Sequence, residues 1–140
     1  MPKNCQFLDK KLTDVLITKG FSKFICPYGI LIIGSPRFPD SYMRYTANVV
    51  GHLVDPDGAG TVADPTVRDA LDHSWGRIIV GVISAREFEI ADSIKGLELH
   101  TIKAYSRKKA GVNPRTQGER VINEVVFKFF TRWGWSKAHK

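Results

Sequence analysis

Apolar residues recur along this chain at two periods, and the switching between them lays out its elements. Leu8, Leu12, Val15 and Leu16 stand at i, i+4, i+7 and i+8, which predicts a helix over 8–19. Gly20 then occupies the left-handed position that closes such a helix. The stretch Phe24-Ile-Cys-Pro-Tyr-Gly-Ile-Leu-Ile-Ile33 is almost wholly apolar and stops at Gly34-Ser35-Pro36, the pattern of a strand buried on both faces. Pro27 has no N–H for a ladder, so the regular part is expected over 28–33. Tyr42, Thr46, Val49, Val50 and Leu53 make one face of a helix running from Pro39-Asp40 to about Val54. Arg44, Asn48 and His52 form a polar stripe on it at spacing four.

Beyond residue 64 the periods alternate again. A short helix is expected over 65–73, a second buried strand over 77–84 and a helix carrying Phe88, Ala91 and Ile94 over 85–94. Residues 97–106 begin as an alternating strand and slip phase at Thr101-Ile102, as a bulge or two-sided burial would require. A basic loop over 107–117 leads into the strongest amphipathic helix, 118–133, with Ile122, Val125, Val126, Phe129, Phe130 and Trp133 on one stripe. Strand, helices and strand in this order make a parallel crossover. The expected fold is mixed α/β in a single domain, 1–140, with a three- to four-stranded mixed sheet flanked by about five helices.

The two halves meet at Asp55-Pro-Asp-Gly-Ala-Gly-Thr-Val-Ala-Asp64, which carries the spacing of a calcium loop. Asp55 and Asp57 fall at ligand positions 1 and 3 and Gly60 at the sharp turn. Ala59, Ala63 and Thr66 stand where oxygens at positions 5, 9 and 12 are needed. A plain turn explains the same residues, since Pro56 and Gly58 suit positions i+1 and i+3 of a type I turn. Asp64 before Pro65 likewise suits a helix start.

Over Tyr45–Leu71 the chain resembles a group of largely uncharacterised secreted proteins whose pattern is roughly A-N-V-L-A-x-Y-L-D-N-D-x-D-G-x-x-D-N-P-x-V-x-x-x-L. Ala47, Asn48, Val49, Leu53, Asp55, Asp57, Gly60, Pro65, Val67 and Leu71 match it. Ala59 and Ala63 replace acids of that group, so the resemblance implies a degenerate calcium-type loop. A late helix in the group resembles E-x-V-L-H-x-x-x-H, and here Phe127 and Thr131 stand in place of its histidines. The resemblance therefore implies a chain without metal-hydrolase chemistry.

Composition narrows the classes further. A hydrophobic content of 43% suits a globular protein rather than a disordered one. No apolar run approaches the ~18 residues of a membrane span. The start, Met-Pro-Lys-Asn-Cys-Gln-Phe, carries no apolar signal core, so a cytoplasmic location is expected, with Cys26 a reduced buried thiol. Net charge is +7, and it is lopsided: residues 1–100 balance at −1, while 101–140 carry +8. Lys103, Arg107, Lys108, Lys109, Arg115 and Arg120 are the candidates for binding an anionic ligand or nucleic acid.

His52, His73, His100 and His139 form no ligand pair in sequence, although His52 ends a polar stripe just before Asp55 and Asp57. Those three are the candidate site for a weakly held divalent cation, the one cofactor in view. Trp75, Phe127, Trp133 and Trp135 are the aromatics that the core pattern demands least, and Phe127, Trp133 and Trp135 are singled out among them. They are candidates for an interaction surface or a homodimer contact. No nucleophile elbow, phosphate loop, dinucleotide fingerprint or paired-cysteine motif occurs. The sequence thus favours a non-catalytic binding or accessory protein with an anionic or protein partner. A metal-dependent enzyme on the 52–64 loop and a nucleic-acid module on the 103–120 segment are the alternatives.

Overall fold

The computed structural model describes residues 10–60, 62–65, 78–94, 100–104 and 114–132. Helix α1 (Lys10–Thr18) leads into β1 (Lys23–Ile25), a one-turn 3₁₀ segment (Pro27–Gly29) and β2 (Leu31–Gly34). There follow α2 (Asp40–Val54), β3 (Ile78–Val82), α3 (Ala85–Asp92), β4 (His100–Lys103) and α4 (Pro114–Arg132). One sheet runs β1-β2-β3-β4. β1 pairs antiparallel with β2, whereas β2–β3 and β3–β4 are parallel. The expected mixed sheet and α/β class are thus present, with four strands and four α-helices among the described residues. Of the helix expected over 65–73, residues 66–73 lie outside the described residues.

The sheet is buried on both sides because two helices cover each face. Ile30, Ile32, Ile79 and Ile102 point into the layer of α2 and α4, against Met43, Val50, Ile122, Val126 and Phe129. Leu31, Ile33, Ile78, Val80 and Val82 point the other way, against Leu16 of α1 and Ala91 of α3. Every residue of β2 and β3 is buried, which is why both strands read as continuous apolar runs rather than alternations.

Three expectations need correction. The run Phe24–Ile33 is two strands folded back on each other, because Pro27 breaks the ladder and Tyr28 turns left-handed at φ 56°. Residues 114–117 belong to α4 rather than to a loop, Pro114 opening the helix where a missing N–H costs nothing. On α1, Leu16 is buried as expected, but Val15 is 38% exposed and Thr13 takes an inward position. The predicted stop at Gly20 does hold. Gly20 has φ 102°, Phe21 N–H donates to Leu16 C=O and Gly20 N–H to Ile17 C=O, the bond pair of a Schellman cap.

Candidate functional site

The loop after α2 is held together by its own acid. Asp55 is 6% exposed, and its carboxylate accepts the N–H groups of Ala59 and Gly60, both at 2.8 Å, and the Tyr28 hydroxyl at 2.7 Å. Gly58 N–H donates to Asp55 C=O at 3.1 Å, closing the turn that Pro56 and Gly58 predict. The Tyr28 hydroxyl, followed by the loop amides, holds the Asp55 carboxyl below its ordinary range. The same hydrogen bond and burial push Tyr28 up. Both oxygens of Asp55 are therefore committed to protein donors. Asp57 and His52 are exposed, and among the described residues no three His, Cys, Asp or Glu side chains gather as a metal would need.

His52 instead faces the seam between α2 and α4. Tyr45, Asn48, Val49, His52 and Leu53 lie along α2 at helical spacing, and Asn123 and Phe127 lie one turn apart on α4. Together they enclose a groove of about 440 Å³. The Tyr45 hydroxyl bridges the two helices, donating to Asn123 Oδ1 at 3.0 Å. A second section of about 400 Å³ shares Tyr45 and Asn48 and continues toward Arg44 and Glu119. The helices approach closely at this end because Gly118 lies against the Tyr42 ring, leaving no room there for a side chain. The walls are aromatic and aliphatic. Asn48, His52 and the amide nitrogen of Asn123 supply polar edges, and Asn48 and His52 make no side-chain hydrogen bond among the described residues.

Comparison with protein-family models, curated proteins and solved structures finds no match. The functional reading therefore stands on geometry.

The structure brings together His52 and Phe127, which the sequence assigned to a metal site and to an interaction surface respectively. It divides the basic candidates. Lys103 sits 4.0 Å from the centre of the Phe88 ring of α3, on one side of the sheet. Arg120 is exposed on α4, on the other side. Arg107, Lys108, Lys109, Trp133 and Trp135 lie outside the described residues, as does the side chain of Arg115. Cys26 is disulfide-bonded rather than a reduced thiol, and the chain's other cysteine, Cys5, is outside the described residues. Among the described residues no helix is long and apolar enough to cross a membrane.

Sequence reading missed Tyr45 and Asn123 as site residues. Asn123 left a faint signal, being four residues before the off-stripe Phe127 and so on the same side of the helix. Tyr45 left none, because a tyrosine beside a helix's apolar face reads as core.

Proposed function

We propose that this protein is a non-catalytic binding protein that holds a flat heteroaromatic ligand in the α2/α4 groove. The observation that carries the reading is the groove's division of labour. Tyr45, Val49, Leu53 and Phe127 supply apolar wall, while Asn48, His52 and Asn123 offer donors and acceptors at the edges. A side-chain amide presents a donor and an acceptor side by side, matching the edge of a nitrogen heterocycle. A volume of about 440 Å³ suits a ligand of one or two fused rings, within the ~300–1,000 Å³ of small-molecule sites. A metal-dependent enzyme on the 52–64 loop is less favoured, since its central acid would first have to release three donors.

The test is titration of the full ¹⁵N-labelled chain with adenosine and with indole. Saturable shifts are expected at 45, 48, 52, 123 and 127, including the side-chain amides of Asn48 and Asn123. Asn48→Ala, at an exposed position, should keep the fold and weaken binding on the order of tenfold. Absence of saturable shifts for both probes, or wild-type binding by Asn48→Ala and His52→Ala together, would sink the reading.

A further inference from the structure

In a parallel sheet a crevice opens at the carboxyl edge where the chains leaving two adjacent strands depart to opposite faces, and ligands of α/β proteins settle there. β2 and β3 are such a pair. The chain leaving β2 enters α2, whose Met43, Val50 and Val54 pack on one face of the sheet. The chain leaving β3 enters α3, whose Ala91 packs on the other. A crevice of about 420 Å³ lies at this point, walled by residues that follow the two strands and by the turn after α1.

Ser35, the first residue past β2, lines it. Ser35 is 3% exposed, and its hydroxyl is buried without any hydrogen-bond partner. Buried hydroxyls nearly always have a partner, so one left without on a crevice wall marks a group available to a ligand. Across from β2, Ser84 caps α3, its Oγ accepting from Glu87 N–H at 3.2 Å. The Glu87 carboxylate accepts in turn from Ile83 N–H at 2.7 Å. Ala85 and Arg86 occupy the first two positions of this eight-residue helix, so their N–H groups have no acceptor within it. The positive end of the helix dipole adds to them. Lys19, Arg37 and Arg86, all exposed, complete the lining, against the single carboxylate of Glu87.

We propose that this crevice binds the phosphate group of a small phosphorylated molecule. Ser35 and the amides opening α3 would hold the oxyanion, with Lys19, Arg37 and Arg86 balancing its charge. A tetrahedral dianion has enough acceptor oxygens for donors converging from three elements, whereas a carboxylate offers two oxygens in one plane. The site is separate from the α2/α4 groove, since it opens at the edge of the sheet and is lined in part by the turn after α1 and by α3.

The experiment titrates the full ¹⁵N-labelled chain with inorganic phosphate and with glycerol 3-phosphate at fixed ionic strength, acetate serving as the comparator. Saturable shifts confined to residues 19–21, 35–37 and 84–87 are expected with both phosphates and not with acetate. Ser35→Ala removes a hydroxyl that bonds nothing, so it should fold as the wild type does. It should weaken phosphate binding on the order of tenfold, as should Arg86→Gln. Arg120→Gln, in the opposite layer, should leave binding unchanged. The proposal is overturned by the absence of saturable shifts, by acetate binding equally well or by undiminished binding in Ser35→Ala. It is equally overturned if Arg120→Gln weakens binding as much as Arg86→Gln, which would reduce the effect to bulk positive charge.

Discussion

The ring of Phe38 occupies the space that a side chain at Gly81 would need. A Cβ on Gly81 would stand 2.5 Å from two carbons of that ring, and Gly34, its partner across β2 and β3, faces the same ring at 3.1 Å. Phe38 is fully buried, so its ring has no solvent to swing into. The two glycines thus form a flat seat in the sheet on which the segment between β2 and α2 is pinned.

Gly81→Ala is therefore expected to destabilise the protein by about 1–3 kcal/mol, the range of overpacking. Urea unfolding checks it. Combined with Phe38→Leu, the loss should be smaller than the sum of the two single effects, because the clash is relieved. A purely additive result would show that Phe38 and Gly81 are not in contact.

The Tyr28–Asp55 bond gives stability a defined dependence on pH. The carboxyls of Asp55 and Asp40 lie below their ordinary range, Asp55 chiefly through Tyr28 and Asp40 through the ion pair with Lys23 at 2.6 Å. Their contribution is complete above the ordinary carboxylate range, ~4, and is lost as pH falls through the lowered folded values. Tyr28 is raised, so its contribution is complete below ~10 and is lost as pH climbs through the raised value. The stability difference between wild type and Asp55→Asn should be widest between about pH 5 and pH 9 and shrink in acid. A difference flat from pH 2 to pH 9 would show that the carboxylate charge is not what the loop uses.

Tyr28→Phe deletes only the hydroxyl of that bond, leaving the left-handed backbone as it is. About 1 kcal/mol of stability should go with it, read from the urea midpoint. Tyr28→Phe and Asp55→Asn should also be non-additive, since each removes one end of a single contact.

Calcium should leave the melting temperature of the full chain unchanged. A ligand that prefers the native state must raise it, and both carboxylate oxygens of Asp55 already accept hydrogen bonds from protein donors. Asp55→Ala should lower the melting temperature, while Asp57→Ala, at an exposed position, should leave it near the wild-type value. A rise with calcium that disappears in Asp57→Ala would restore the loop as a cation site.

Gly118→Ala sets helix propensity against packing. Alanine is the better helix former by about 1 kcal/mol, yet its methyl would meet the Tyr42 hydroxyl and ring. A net loss of stability is expected. A gain would mean that α2 and α4 can separate at no cost, and the groove beside them would then be wider than its walls indicate.

Much of the fold was legible because both central strands are buried on both faces. Residues 31–34 and 78–82 could hardly read as anything but continuous apolar runs, and α2 was placed within a residue at each end. The hairpin of β1 and β2 was not legible. Phe24–Ile33 is apolar in both strands, and periodicity carries no sign of a reversal made at two left-handed residues, Tyr28 at φ 56° and Gly29 at φ 78°. Of the groove, α2 showed its polar stripe of Arg44, Asn48 and His52 in sequence, and Phe127 stood out as surplus to the core. That the stripe and Phe127 would face each other was not readable, because helices about 70 residues apart in the chain become neighbours only when both pack on the same face of the sheet.

The sequence by itself determined most of the elements and the turn at Asp55-Pro56-Asp57-Gly58, since each depends on residues within a turn or two of one another, and it carries the charge imbalance outright. Tertiary structure decided the rest. It made Asp55 the anchor of its own loop, by bringing up a tyrosine 27 positions away. It left Ser35 buried without a partner beside the start of α3, where two parallel strands send their chains to opposite faces. Local pattern fixes how a segment bends and which side of it avoids water. Which polar groups end up sharing a wall depends on how distant segments stack, and that is set by burying the whole core at once.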